Sequence, residues 1–167
     1  MPKNQNNTEK ISQKTVKFDE KDRKIVNLLN KNGRLTLKEI SKEVGMSIDA
    51  VKGRIDRMKE YGAIDRFTVI PNPKAFGLPL GAHVYVKLHN IEEKKLEDFI
   101  RYLKFHNRIV VLMSMLGDYD IYFVVLAKDT ADLNSIKTEI RKEFSNLIAE
   151  WKEVIVAEIY KYEEYQM

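Results

Sequence analysis

Residues 34–59 read RLTLKEISKEVGMSIDAVKGRIDRMK, two short helical patterns on either side of the break Gly45-Met46-Ser47. Thr36 and Glu39 stand at capping-box spacing: the Thr hydroxyl takes the amide three residues on, and the Glu carboxylate reaches back to the cap. That helix is expected to end at Gly45. Ser47 is placed to cap the next one, whose inward stripe is Val51, Ile55 and Met58 and which stops at Tyr61-Gly62. Two helices around a three-residue turn form a helix-turn-helix, in which the break sets the angle at which the second helix leaves the protein to enter a major groove.

Upstream, Asp19 is expected to N-cap a first helix with Ile25, Leu28 and Leu29 on one face and Asn32-Gly33 as its stop. Residues 1–16 are polar and aperiodic, and we expect a disordered basic tail. Downstream, Ile64–Ile70 is rich in β-branched and aromatic residues and predicts a strand, the wing of a winged helix. Pro71-Asn72-Pro73 ends it. The domain limits that follow are a winged helix-turn-helix over 17–70 and a linker over 71–81, where Pro71, Pro73 and Pro79 meet Gly77 and Gly81.

The second half alternates strand and helix. Strands are expected at Ala82–Leu88, Ile109–Leu116, Ile121–Ala127 and Val154–Tyr162. Leu96, Phe99, Ile100 and Leu103 mark one amphipathic helix, and Leu133, Ile136 and Ile140 a second. The order βαββαβ predicts a ferredoxin-like domain over 82–163, making the whole chain α+β. Ile109–Met113 and Ile121–Leu126 are apolar at successive positions, whereas a sheet covered on one face should alternate. A second copy packing sheet on sheet across a two-fold axis is the simplest cover, so we expect a homodimer.

The 167 residues suit one or two small domains, and 44% hydrophobic residues suffice for ordinary cores. With no cysteine there is neither a disulfide framework nor a thiolate metal site. No apolar run reaches the 18 or so residues of a membrane span, and no signal peptide is evident, so a cytoplasmic protein without a membrane partner is expected. The net charge of +4 is uneven: residues 1–75 hold 17 basic and 10 acidic side chains, and residues 76–167 hold 12 and 15. Without residues 1–16 the front part still carries +5. A basic front on a mildly acidic back places a polyanion partner at the front.

Catalytic apparatus is not visible: there is no nucleophile elbow, no P-loop and no dinucleotide fingerprint. His83, His89 and His106 lack zinc-site spacing. We therefore expect no enzyme, no metal and no cofactor.

On the helix spanning 48–60, the positions opposite the inward stripe are Asp49, Gly53 and Asp56, flanked by Lys52 and Arg57. Lys52, Arg54 and Arg57 are candidates for phosphate or guanine-edge contacts. Ser47 either offers its hydroxyl and nearby amides to a phosphate or acts as a plain N-cap. Gly53 costs about 1 kcal/mol in a helix interior relative to Ala, and its missing side chain suits close approach to DNA. Asp49 either complements the helix dipole or accepts from a cytosine amino group; Asp56 either does the latter or pairs with Lys52. Arg34 is either a backbone contact or a solvated charge.

The chain resembles the Lrp/AsnC family of feast/famine transcription regulators over roughly residues 17–163. The carriers are Phe18-Asp19-Glu20-Lys21-Asp22-Arg23-Lys24-Ile25, Asn32-Gly33-Arg34, the helix-turn-helix with Val51-Lys52-Gly53-Arg54-Ile55, Asn72-Pro73-Lys74-Ala75-Phe76-Gly77 and Gly117-Asp118-Tyr119-Asp120. The resemblance implies that the front domain binds double-stranded operator DNA. It implies that the back domain dimerises, assembles further and senses a small molecule, usually an amino acid. It also implies an effector cleft at the hairpin, with Gly117, Asp118 and Asp120 as main candidates, Tyr119 between them, and Ser114 and Met115 as pocket wall. Carboxylates there would receive an ammonium group and backbone amides a carboxylate. Read without the resemblance, the same hairpin is an ordinary tight turn. The alternative function is an amino-acid-binding or enzyme-regulatory module without specific DNA binding; the basic front half and the capped helices favour the regulator.

Overall fold

The computed structural model describes residues 17–161 and 165–167. The expected disordered tail over 1–16 lies outside these residues. The chain divides into two compact units, with Val69/Ile70 and Tyr160/Lys161 as the boundaries.

The first unit is a three-helix body: α1 (Glu20–Lys31), α2 (Leu37–Val44) and α3 (Ile48–Glu60). All three begin on side-chain caps. Asp19 accepts from the Asp22 amide and Asp22 returns the bond, Thr36 and Glu39 form the second capping box, and Ser47 accepts from Ala50. Gly45 ends α2 with φ +68°, a left-handed conformation that glycine enters at little cost. Ile25, Ile40, Val44, Val51, Ile55 and Met58 form the core, and Ile64 folds back onto it. Residues 165–167 belong to this unit: the Asn27 amide exchanges two hydrogen bonds with the backbone of Met167, and Asn30 donates to the Tyr165 carbonyl.

The wing is a correction. Residues 64–70 form no strand, and Asp65–Ile70 are exposed. A strand is stabilised by its ladder, and the described part of the first unit holds no second strand to supply one. The high β-propensity of the segment cannot act alone.

The second unit contains β1 (Leu80–Leu88), α4 (Glu93–Phe105), β2 (Ile109–Ser114), β3 (Ile121–Ala127), α5 (Thr130–Glu143) and β4 (Ile148–Ile155), preceded by a 3-10 turn at Pro73–Phe76. The sheet is antiparallel throughout, in the order β2-β3-β1-β4. One face packs on the two helices, where Val84, Val86, Phe99, Leu103, Phe123, Val125 and Ile140 are fully buried. Each such side chain contributes about 1.5–3 kcal/mol. The opposite face carries Tyr85, Tyr122, Val124, Leu126 and Val111, half-buried in the single chain. Bulk on both faces of the central strands is thus real, and only the helix-covered face alternates fully buried residues along β3.

The last strand also differs from expectation: it runs Ile148–Ile155, not Val154–Tyr162. Its polar residues conceal it. Glu153 lies opposite Val84 on the helix side, where Lys137 pairs with it at 3.1 Å and the Trp151 indole donates to it at 3.0 Å. An inward carboxylate is tolerated because it is paired and hydrogen-bonded. Strand β2 stops at Ser114, two residues short of the expected Leu116, because Met115 turns to donate to the Asp120 carbonyl and Leu116 is fully exposed.

Candidate functional site

The exposed side of α3 is built by its buried side. Val51, Ile55 and Met58 are fixed in the core, so Asp49, Lys52, Gly53 and Asp56 face outward and are exposed. Ser47 caps the helix through its Oγ, which accepts from the Ala50 amide at 3.2 Å. Its hydroxyl hydrogen is still free to donate to an anion at the helix N-terminus. Among the described residues nothing lies within 4 Å of a would-be Cβ at Gly53, so none of them requires glycine there. The Lys52–Asp56 pair is not among the ion pairs of the described residues. Arg34 is exposed in the turn before α2, its amide bonded to the Asn32 side chain at 3.0 Å.

Arg54 and Arg57 are not free surface charges. Arg54 Nη1 lies 2.8 Å from both Asp19 Oδ2 and Asp22 Oδ1, and Arg57 Nη2 lies 2.7 Å from Asp22 Oδ2. Asp22 is fully buried. The hydrogen bonds it donates to Asp22, then to Asp19, hold the Arg54 guanidinium more firmly protonated than usual. The Asp22 amide and then Arg54 push the Asp19 carboxyl below its ordinary value. The sequence reading did not connect Asp22 with these two arginines. Its partners lie 32 and 35 positions away, and no local pattern announces them.

The hairpin between β2 and β3 brings Ser114, Met115, Gly117, Asp118, Tyr119 and Asp120 into one turn. Gly117 has φ +145°, a conformation that disfavours a Cβ. Asp120 is the internal brace: one carboxylate oxygen accepts from the Leu88 amide at 2.7 Å, the other lies 3.5 Å from Lys87 Nζ, and its own amide donates to Val86 at 3.0 Å. Tyr119 donates to Glu150 at 2.8 Å and packs against Tyr85 with the rings tilted by 53°, and the Glu150 hydrogen bond raises its pKa. Ser114, Met115, Gly117 and Asp118 are exposed. A groove of about 1020 Å³ lies elsewhere in this unit, between α4 and α5, lined by Tyr102, His106, Arg108, Glu139 and Phe144 among others. No group of His, Cys, Asp or Glu among the described residues is arranged to hold a metal ion.

Residues 18–59 match the model of the AsnC-type helix-turn-helix domain. The chain is 33% identical over 120 residues to the HTH-type transcriptional regulator FL11 of Pyrococcus abyssi, covering 72% of this chain and 78% of that protein. It is 31% identical over 124 residues to the HTH-type transcriptional regulator AldR of Mycobacterium tuberculosis, covering 74% and 69%. Among solved structures, a transcriptional regulator from Neisseria meningitidis in complex with L-Met superposes with a TM-score of 0.80 at 20% identity, covering 87% of this chain and 94% of that one. LrpC of B. subtilis superposes with a TM-score of 0.74 at 18% identity, covering 87% and 99%.

Proposed function

Since the chain belongs to the Lrp/AsnC family of transcription regulators, we propose that α3 reads operator DNA under the control of a small amino acid-like effector. The observation that carries the DNA-binding reading is the division of α3. One stripe is locked in the core, and the other, with Asp49, Lys52 and Gly53, stands open beside the Ser47 cap. A helix so divided can enter a major groove without disturbing its own fold. Arg34 and Lys52 supply phosphate contacts in this reading, and Arg57 supplies a base contact.

Two copies of the chain pair through the open face of the sheet, where Val111, Val124 and Tyr122 are half-buried and Met113 is exposed in a lone chain. Further assembly of dimers follows the family pattern. The effector lies against the β2–β3 hairpin. Asp118 is exposed there and carries no ion pair among the described residues, which suits an ammonium group. Asp120 shapes the turn from within, so its part is indirect. The L-Met bound by the Neisseria meningitidis neighbour supports an amino acid as the ligand class. We assign no catalysis.

The test is fluorescence anisotropy with duplex DNA from upstream of the chain's own gene, with and without each common amino acid. Selective binding that shifts with one or a few amino acids is expected. Amino-acid binding by calorimetry without selective DNA binding would instead favour an enzyme-regulatory module. Silence toward the whole panel would reduce the hairpin to a structural turn.

A further inference from the structure

The charge cluster between α1 and α3 divides its two arginines unequally. Arg54 has a side chain 24% exposed and reaches both Asp19 and Asp22 through one nitrogen. Arg57 is 41% exposed and reaches only Asp22, through Nη2. Its Nε is buried and, like Nη1, has no hydrogen-bond partner among the described residues, and its guanidinium stands 5.7 Å over the Phe18 ring. At about 100° per residue, Arg54 lies at the margin of the buried stripe and Arg57 at the margin of the exposed one. The two carboxylates balance the two guanidinium groups, so the cluster as a whole adds little to long-range attraction for phosphates.

We propose that buried Asp22 is a positioning residue for DNA reading: it grips Arg57 by Nη2 against Phe18 and presents the outer edge of the guanidinium, Nη1 and the remaining N–H of Nη2, to a base edge. This rests on α3 being the DNA-reading helix. A long side chain held before contact loses less freedom on binding, and a planar donor fork held in one orientation discriminates guanine, with its paired O6 and N7 acceptors, from other bases. Asp22 is well placed for this because it is itself immobile. It is fully buried, it closes the α1 capping box, and its second oxygen is occupied by Arg54. Arg57 should therefore contribute base discrimination and little salt dependence, whereas a solvent-borne lysine such as Lys52 should do the reverse.

The experiment uses the full chain and a preferred duplex obtained by in vitro selection. Affinities are measured for that duplex, for versions with each G·C pair replaced, and for non-specific DNA, across a salt series. Arg57→Lys keeps the charge but loses the fork. It should abolish discrimination at one base pair per half-site, a loss of about tenfold to a hundredfold, and leave the salt slope unchanged. Asp22→Asn should lose discrimination at the same base pair, and should add nothing in the Arg57→Lys background. If Asp22→Asn does not fold, Asp22→Glu keeps the charge, moves the carboxylate by one methylene, and should weaken discrimination at that same pair. Wild-type discrimination in the folded Asp22 variants would overturn the proposal. So would losses that simply add in the double variant, or a parallel loss on every duplex. Selective binding untouched by Arg57→Lys would sink the clamp alone, whereas no selective binding by the unsubstituted chain would sink the DNA-reading assignment itself.

Discussion

At Asp22 one buried carboxylate meets two guanidinium groups, and the energetics of that contact are asymmetric. Desolvating the cluster is costly, yet removing one partner leaves charges without compensation. Asp22→Ala should destabilise the first unit by about 3–5 kcal/mol, read as a lower denaturation midpoint with an unchanged slope. An unchanged midpoint would mean that the arginines find solvent at no cost. Two carboxylates add an acid-side dependence. Asp19 and Glu39 have folded pKa values below their ordinary 3.8 and 4.5, through backbone amides in each capping box. Their stabilising contribution is present above those values and is lost as pH falls below them. Tyr102 behaves oppositely. Burial, then its hydrogen bond to Glu139, pushes its hydroxyl from 10.0 up to about 12. Its contribution is whole below pH 10 and is lost as pH rises toward about 12, a window that Tyr102→Phe should erase from alkaline denaturation curves. At this scale the sequence showed the caps, because a cap and its amide lie within one turn of each other. It did not show that Arg54 and Arg57 answer to Asp22.

Among the elements, the helices of the first unit are legible to the residue, and the segment after them is not. Caps at Asp19, Thr36 and Ser47 and the left-handed Gly45 fix the three helices through contacts three or four positions apart. Residues 64–70 look like a strand by composition but lack a partner, and β4 looks polar but has one. Strand formation depends on what lies alongside, which composition does not carry. Gly53 separates local from functional demand. A Cβ there meets nothing within 4 Å, so Gly53→Ala should stabilise α3 by about 1 kcal/mol. The same change should weaken operator binding if the helix backbone approaches the duplex closely. Chemical denaturation and anisotropy on one preparation would check both. Stabilisation with undiminished affinity would remove Gly53 from the interface.

For the whole molecule, the open face of the sheet is the deciding surface. Val124 sits mid-strand between His83 and Val111 on that face, away from the helix-side core. Val124→Asp should dissociate the proposed dimer, seen as a fall to single-chain mass in sedimentation at micromolar concentration, with the helical content kept. A dimer that survives would place the interface elsewhere. The candidate hairpin is legible as a turn from its Gly and Asp content, but its inner division of labour is not: Asp120 bonds to the end of β1, and Asp118 is left to solvent. The limits of the first three helices, the three-helix and βαββαβ order, and the charge division between the halves are written in the sequence, because capping, periodicity and composition act over a few neighbouring residues. Which carboxylate holds the arginines of α3, where the last strand begins and that residues 64–70 form no strand emerge only in the folded chain. Those outcomes rest on partners more than thirty positions apart in the chain, or on their absence, and such pairings exist only once the chain has folded.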